Sequence, residues 1–247
     1  MTVYLVGAGP GDPGLITVKG AALLGRADVV VHDRLVNPEI LALAPDSCEL
    51  ISAAKAPRQP TMTQEEINKL LIERGLRGEI VVRLKGGDPC VFARGGEEAA
   101  ALGAAGVSFE IVPGITSAIA APAYAGIPVT LRHEALSVTI VTGHEDPASG
   151  QTVAWESIAR TGGTIVVLMG AGRAAKIAGR LMSGGLDPAT PTAWVNWGTY
   201  EHQDVWRGRL DQLGVDAVPT PSVLVIGTVA GVDVSWYAAL ADQHPTR

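Results

Sequence analysis

Val82-Arg83-Leu84-Lys85-Gly86-Gly87-Asp88-Pro89 runs from a β-rich segment straight into two glycines, an acid and a proline. The amino terminus has the same form, with Val3-Tyr4-Leu5-Val6 entering Gly7-Ala8-Gly9-Pro10-Gly11-Asp12-Pro13-Gly14. In open α/β sheets ligands sit outside the carboxyl ends of the strands, where glycines let the backbone approach closely. Two such loops therefore point to a parallel sheet with a binding edge. The first loop is not a dinucleotide fingerprint: a GxGxxG starting at Gly7 needs glycine where Asp12 stands, and Pro10 and Pro13 stiffen a turn that should open into a helix. Taken alone, either loop is also compatible with a plain strand-to-helix connection, and Asp88 with a turn cap.

Outward from these loops, short β-rich runs alternate with helical stretches, the pattern of α/β architecture. Strands are expected at 3–6, 29–32, 80–84 and 109–112, and helices at 17–24 and 97–105. A further helix opens at Thr63, which stands three residues before Glu66 as in a capping box, with Ile67, Leu70 and Leu71 following on one face. The pattern changes at Pro113-Gly114, which divides the chain into domains 1–113 and 114–247. The second part offers a small-residue helix at 116–125, strands at 137–142, 164–168, 193–197, 204–209 and 223–227, and a helix at 174–182. Helices are sparse there, so a mixed sheet with antiparallel pairs is expected.

Composition agrees with a folded chain: of 247 residues, 47% are hydrophobic, 18% charged and 4% aromatic. The longest apolar runs, such as 165–169 and 223–226, are far shorter than the roughly 20 residues a membrane-spanning helix needs. The amino terminus has no basic region or long apolar core of a signal peptide, so a cytoplasmic protein is expected. Cys48 and Cys90 form neither a disulfide framework nor a paired zinc-ligand spacing, and no metal site is expected. A net charge of −6 argues against a nucleic-acid partner.

Taken together, several segments are long, ordered and specific. They are VGAGPGDPGLITVKG at 6–20, HDRLV at 32–36, QEEIN at 64–68, VVRLKGGDPCVFARGGEE at 81–98, VPGITSA at 112–118, GIPVT at 126–130 and SVTIVTGH at 137–144. On these the chain resembles the tetrapyrrole (class III) methyltransferases over nearly its whole length. The resemblance implies a two-domain α/β fold that binds S-adenosylmethionine in a cleft between the domains. It also implies methyl transfer to C2 and C7 of uroporphyrinogen III, giving precorrin-2 and S-adenosylhomocysteine, and a homodimer. The cofactor set it implies is Pro10, Gly86, Gly87, Asp88, Val91, Thr116, Ser117, Met169, Gly198 and Gly227.

Asp33 matches the family's proton acceptor and Lys55 its proton donor. Read without the resemblance, Asp33 is equally a turn or capping acid and Lys55 a solvated side chain. The tetrapyrrole substrate carries eight carboxylates, so an acidic enzyme must present local positive charge; Arg34, Arg58, Arg94 and Arg132 are the candidates, with Trp197 the aromatic beside the site. The chain departs from the family pattern at Ala54 and Ala56 around Lys55, at Cys90, at Ala93 and at Leu131. Two other readings remain at this point: a methyltransferase of a later precorrin, or of a protein or RNA side chain, and a nucleotide-binding module without catalysis.

Overall fold

The computed structural model describes residues 2–53, 62–145, 150, 152–234 and 236. The chain forms two units, Met1–Thr116 and Ser117–Arg247.

The first unit is a five-stranded sheet with strands β1 (Val3–Gly7), β2 (Val29–His32), β3 (Glu49–Ser52), β4 (Val81–Lys85) and β5 (Phe109–Val112), in the order β3-β2-β4-β1-β5. Every pairing is parallel, with Val3 beside Val81 and Phe109, and Val29 beside Val81 and Glu49. All five strand carboxyl ends therefore share one edge. Side-chain alternation sorts the core into two layers. Val3, Leu5, Val29, Val31 and Val81 pack against Ile67 and Leu71 of α3 (Gln64–Leu76) and Ala99 and Leu102 of α4 (Gly95–Ala104). Val6, Val30, Val82 and Leu84 pack on the other side against Leu23 and Leu24 of α1 (Val18–Leu24) and Ile40 of α2 (Pro38–Leu41).

The capping box at Thr63 is present in full: the Thr63 hydroxyl accepts from the Glu66 amide and the Glu66 carboxylate accepts from the Thr63 amide. In this unit two elements were not anticipated, the four-residue α2 and the edge strand β3, whose exposed Glu49, Leu50 and Ser52 hide the pattern of a buried strand. Strand β4 ends at Lys85 rather than at residue 84, and α4 starts at Gly95 rather than at residue 97. The first shift matters, because it places Arg83 and Lys85 on the face that Val81 shares with α3 and α4.

The second unit is the mixed sheet expected. Strands β6 (Val138–Thr142), β7 (Thr164–Leu168), β8 (Pro191–Asn196), β9 (Asp204–Arg209) and β10 (Ser222–Ile226) lie in the order β6-β7-β10-β8-β9. Only β6 and β7 are parallel; β10 runs antiparallel to β7 and β8, and β8 to β9. One face is covered by α7 (Ala174–Ser183), whose Ile177, Ala178 and Leu181 meet Val167, Trp194 and Leu224. Helix α5 (Ser117–Tyr124) packs against β7 and β10, and the short α6 (Trp155–Ile158) against α7. Among the described residues, no helix is long and apolar enough to cross a membrane.

Candidate active site

At the carboxyl edge of the parallel sheet, four loops are tied to one another by main-chain contacts. The Ala8 amide donates to the Lys85 carbonyl at 2.8 Å, and Gly9 and Gly87 exchange both hydrogen bonds at 3.1 and 2.7 Å. Gly87 has φ +68°, so a branched side chain there is strained. The loop after β5 closes over this pair so tightly that a Cβ on Gly114 would stand 2.3 Å from the Gly87 carbonyl oxygen and 2.7 Å from Gly7 Cα. The Asp88 carboxylate accepts from the Gly114 amide at 2.9 Å and from the Cys90 amide at 2.7 Å. It therefore acts as the clasp between two loops. The loop after β2 joins through Asn37, whose side-chain amide donates to the Gly11 carbonyl at 2.9 Å. Pro10, Gly86, Gly87, Asp88 and Val91 all lie on this woven edge.

Beside it opens a cavity of about 520 Å³, within the first unit, lined by Asp33, Arg34, Ala53, Gln64, Arg83, Lys85 and Arg94 among others. Its floor is ionic. Arg83 and Lys85 project from β4 and are 2% and 1% exposed, and Glu98 from α4 is fully buried. A single oxygen, Glu98 Oε1, accepts from Arg83 Nε at 3.0 Å, Lys85 Nζ at 2.9 Å and Gln64 Nε2 at 3.3 Å. The other end of the Arg83 guanidinium donates from Nη2 to Asp33 Oδ1. Asp33 follows β2 directly, with its own amide donating to the Leu84 carbonyl at 3.1 Å, so both main chain and side chain hold it against β4. Burial pushes the Lys85 ammonium below its ordinary pKa, the Arg83 charge adding to the effect while Asp33 and Glu98 oppose it.

Asp33 is legible at this edge from the sequence, whereas Arg83, Lys85 and Glu98 are not singled out. The available signal was a pair of cations at alternate positions of an otherwise apolar strand. Arg34 and Arg94 do line the cavity, whereas Arg132 lies on the exposed turn between Leu131 and Ala135 of the second unit. Lys55 and Arg58 lie outside the described residues. The Arg94 backbone sits at φ +61° and that of Phe92 at φ +50°, left-handed conformations that non-glycine residues rarely adopt and that cluster at functional sites.

The second unit repeats that signature. Met169, immediately after β7, has φ +56° and is 53% exposed, which is not how a core methionine sits. Trp197, after β8, has φ +47° and its ring stacks edge-on against Tyr200 at 5.4 Å and tilted against His202 at 4.9 Å. Burial raises the pKa of the Tyr200 phenol. Gly198 is required by packing, since a Cβ there would lie 2.4 Å from Ala121 Cβ of α5. The register puts Met169 and Gly198 at the same end of this sheet, where Val223 faces Leu168 and Ser222 faces Asn196. Gly227 is at the opposite end, its amide donating to the Pro191 carbonyl at 3.0 Å. Thr116 and Ser117, both partly buried, close the first unit and open the second.

Residues 2–214 match the family model of the Tetrapyrrole (Corrin/Porphyrin) Methylases. The chain is 49% identical over 232 residues to an S-adenosyl-L-methionine-dependent uroporphyrinogen III methyltransferase of Methanosarcina barkeri, covering 92% of this chain and 91% of that protein. It is 46% identical over 231 residues to a uroporphyrinogen-III C-methyltransferase of Priestia megaterium, covering 92% and 97%. It is also 46% identical to a siroheme synthase of Yersinia enterocolitica, of which it spans 51%. Among solved structures, a uroporphyrin-III C-methyl transferase from Thermus thermophilus complexed with S-adenyl homocysteine superposes with a TM-score of 0.81 at 40% identity, covering 94% of this chain and 99% of that one. The match runs through both units, and the chain belongs to the tetrapyrrole (corrin/porphyrin) methylases.

Proposed function

We propose that this chain transfers methyl groups from S-adenosylmethionine to C2 and C7 of uroporphyrinogen III, giving precorrin-2 and S-adenosylhomocysteine. The observation that carries the reading is the cavity of the first unit. Its lining includes the four cations Arg34, Arg83, Lys85 and Arg94; set against Asp33, Glu98 beneath Arg83 and Lys85, and Glu97 beside Arg94, four cations less three carboxylates leave +1 locally in a chain whose net charge is −6. Such a local reversal of sign suits a polycarboxylate substrate. The names of the relatives specify which one.

Cofactor binding fits the carboxyl edge of the parallel sheet, where Pro10, Gly86 and Gly87 lie and where a Cβ on Gly86 would meet nothing nearer than Leu35 Cβ at 3.8 Å. Asp88, Val91 and Thr116, and in the second unit Ser117, Met169, Gly198 and Gly227, complete the proposed set; for Gly227 the support is the resemblance alone. When bound, S-adenosylmethionine supplies an electrophilic methyl group, and displacement leaves the electron pair on sulfur. Asp33 takes the proton released from the pyrrole as the ring carbon is alkylated, and Arg83 holds its carboxylate in place for that transfer. Lys55 is the proposed proton donor. The reading extends to a homodimer in the cytoplasm, where the thiols of Cys48 and Cys90 stay reduced. Sedimentation at micromolar concentration tests the dimer against the 25.5 kDa of one chain.

Anaerobic incubation with uroporphyrinogen III and S-adenosylmethionine, followed by mass analysis, tests the function. A product carrying two added methyl groups is expected. Tight binding of S-adenosylhomocysteine with no methylation of uroporphyrinogen III contradicts the reading and points to a later precorrin or to a binding module.

A further inference from the structure

Among the described residues of the first unit Glu98 is the least accessible charge, and it meets the cavity only through Arg83, Lys85 and Gln64. Its carboxylate is fully buried, Oε1 accepts from Arg83, Lys85 and Gln64, and Oε2 has no hydrogen-bond partner among the described residues. A buried ion cluster of this kind is poor value for stability alone, because apolar replacements of similar volume often leave a protein equally or more stable. The same face of sheet and helix carries such a solution in the apolar cluster that includes Val81 and Leu102.

What the cluster does accomplish is directional. The Arg83 guanidinium is a rigid planar fork. With Nε fixed on Glu98 and Nη1 donating to the Val31 carbonyl at 3.3 Å, only one orientation remains, and it delivers Nη2 to Asp33 at the cavity wall. Building on the proposed function, we propose that Glu98 is a positioning residue for methyl transfer, acting through Arg83 to aim the Asp33 carboxylate at the substrate. Lys85 serves the same end from the other side: its ammonium shares the Glu98 oxygen and balances the buried charge. Glu98 is fifteen residues from Arg83 and on a different element, so the device exists only once α4 has packed on β4.

The test is a double-mutant cycle read by single-turnover transfer of labelled methyl to uroporphyrinogen III. Glu98→Gln keeps the shape and removes the charge. Misaiming a reacting group by a fraction of an ångström to an ångström typically costs up to about a hundredfold, so the rate is expected to fall about ten- to a hundredfold. Affinity for S-adenosylhomocysteine and the KM for uroporphyrinogen III should stay within about threefold. In an Asp33→Asn background the same substitution should cost less than about twofold, because residues acting as a unit are non-additive. A merely structural role predicts equal losses in both backgrounds, and that result overturns the proposal, as does a Glu98→Gln enzyme with the wild-type rate. If Glu98→Gln does not fold, Glu98→Asp carries the same cycle, with the loss again confined to the background that retains Asp33. Wild-type protein that fails to methylate uroporphyrinogen III overturns the functional reading and this proposal together, whereas turnover with an additive cycle overturns this proposal alone.

Discussion

An arginine of each unit, Arg83 and Arg180, sits in an ion cluster at a different depth. In the first, Arg83 lies on a sheet face, 2% exposed, between a fully buried Glu98 and the partly buried Asp33. In the second, Arg180 of α7 reaches outward and forms a two-pronged pair with Glu156 of α6, both bonds at 2.8 Å, with Glu145 at 3.5 Å beside it. The outer pair staples two helices in water-accessible surroundings, where charge pairs contribute little and salt screens them. The inner cluster has given up hydration for fixed geometry, and breaking it leaves a charge with nowhere to go. Depth thus separates a charge pair that fastens two helices at the surface from one to which we assign a part in the chemistry.

The largest effect that would sharpen this contrast is on stability. Arg83→Met breaks the buried cluster, leaving Glu98 to Lys85 and Gln64 and Asp33 without its guanidinium, and is expected to cost up to about 3–5 kcal/mol, read by denaturant unfolding; a loss as small as that of Arg180→Met would erase the distinction. Next comes Gly87→Val at the woven loops. Forcing a non-glycine residue to φ +68° costs roughly 1–3 kcal/mol, and affinity for S-adenosylhomocysteine is expected to fall about tenfold or more in calorimetric titration. Unchanged affinity in a folded variant would remove these loops from the cofactor site.

Smaller still is the acid response of the second unit. Hydrogen bonds from Arg180 and a backbone amide, with its charge in support, lower the Glu156 pKa from 4.5 to about 2. The folded value lies below the unfolded one, so this pair's stabilisation is present above about pH 4.5 and fades as pH falls towards 2. Glu156→Gln should flatten that part of the stability profile slightly. A steeper acid dependence in the variant would show the assignment to be wrong.

Much of this was legible in the residues. The capping box at Thr63 and Glu66, the strand at 29–32 and the glycine loops after β1 and β4 rest on local rules, and local rules were enough. β3 escaped because its exposed Glu49, Leu50 and Ser52 hide a strand pattern, and α2 and α6 because a single helical turn carries too little periodicity. The ionic floor escaped for another reason. Glu97 and Glu98 are neighbours in a helix's first turn, yet one is solvated beside Arg94 and the other fully buried. Only the helix's rotation against β4 tells them apart. Left-handed backbone at Met169, Trp197, Phe92 and Arg94 is equally invisible in sequence, since none of these residue types announces it.

Asp33 is the proposed proton acceptor of the first unit's cavity, served by buried charge. That role is tested most directly by the turnover of Asp33→Asn with uroporphyrinogen III at saturating S-adenosylmethionine, with S-adenosylhomocysteine affinity measured on the same sample. The substitution keeps the size and removes the basic oxygen. A positioned base contributes about 10²–10⁴-fold, so kcat should fall by at least about a hundredfold with affinity unchanged. A kcat within about threefold of wild type, well below that range, would contradict it.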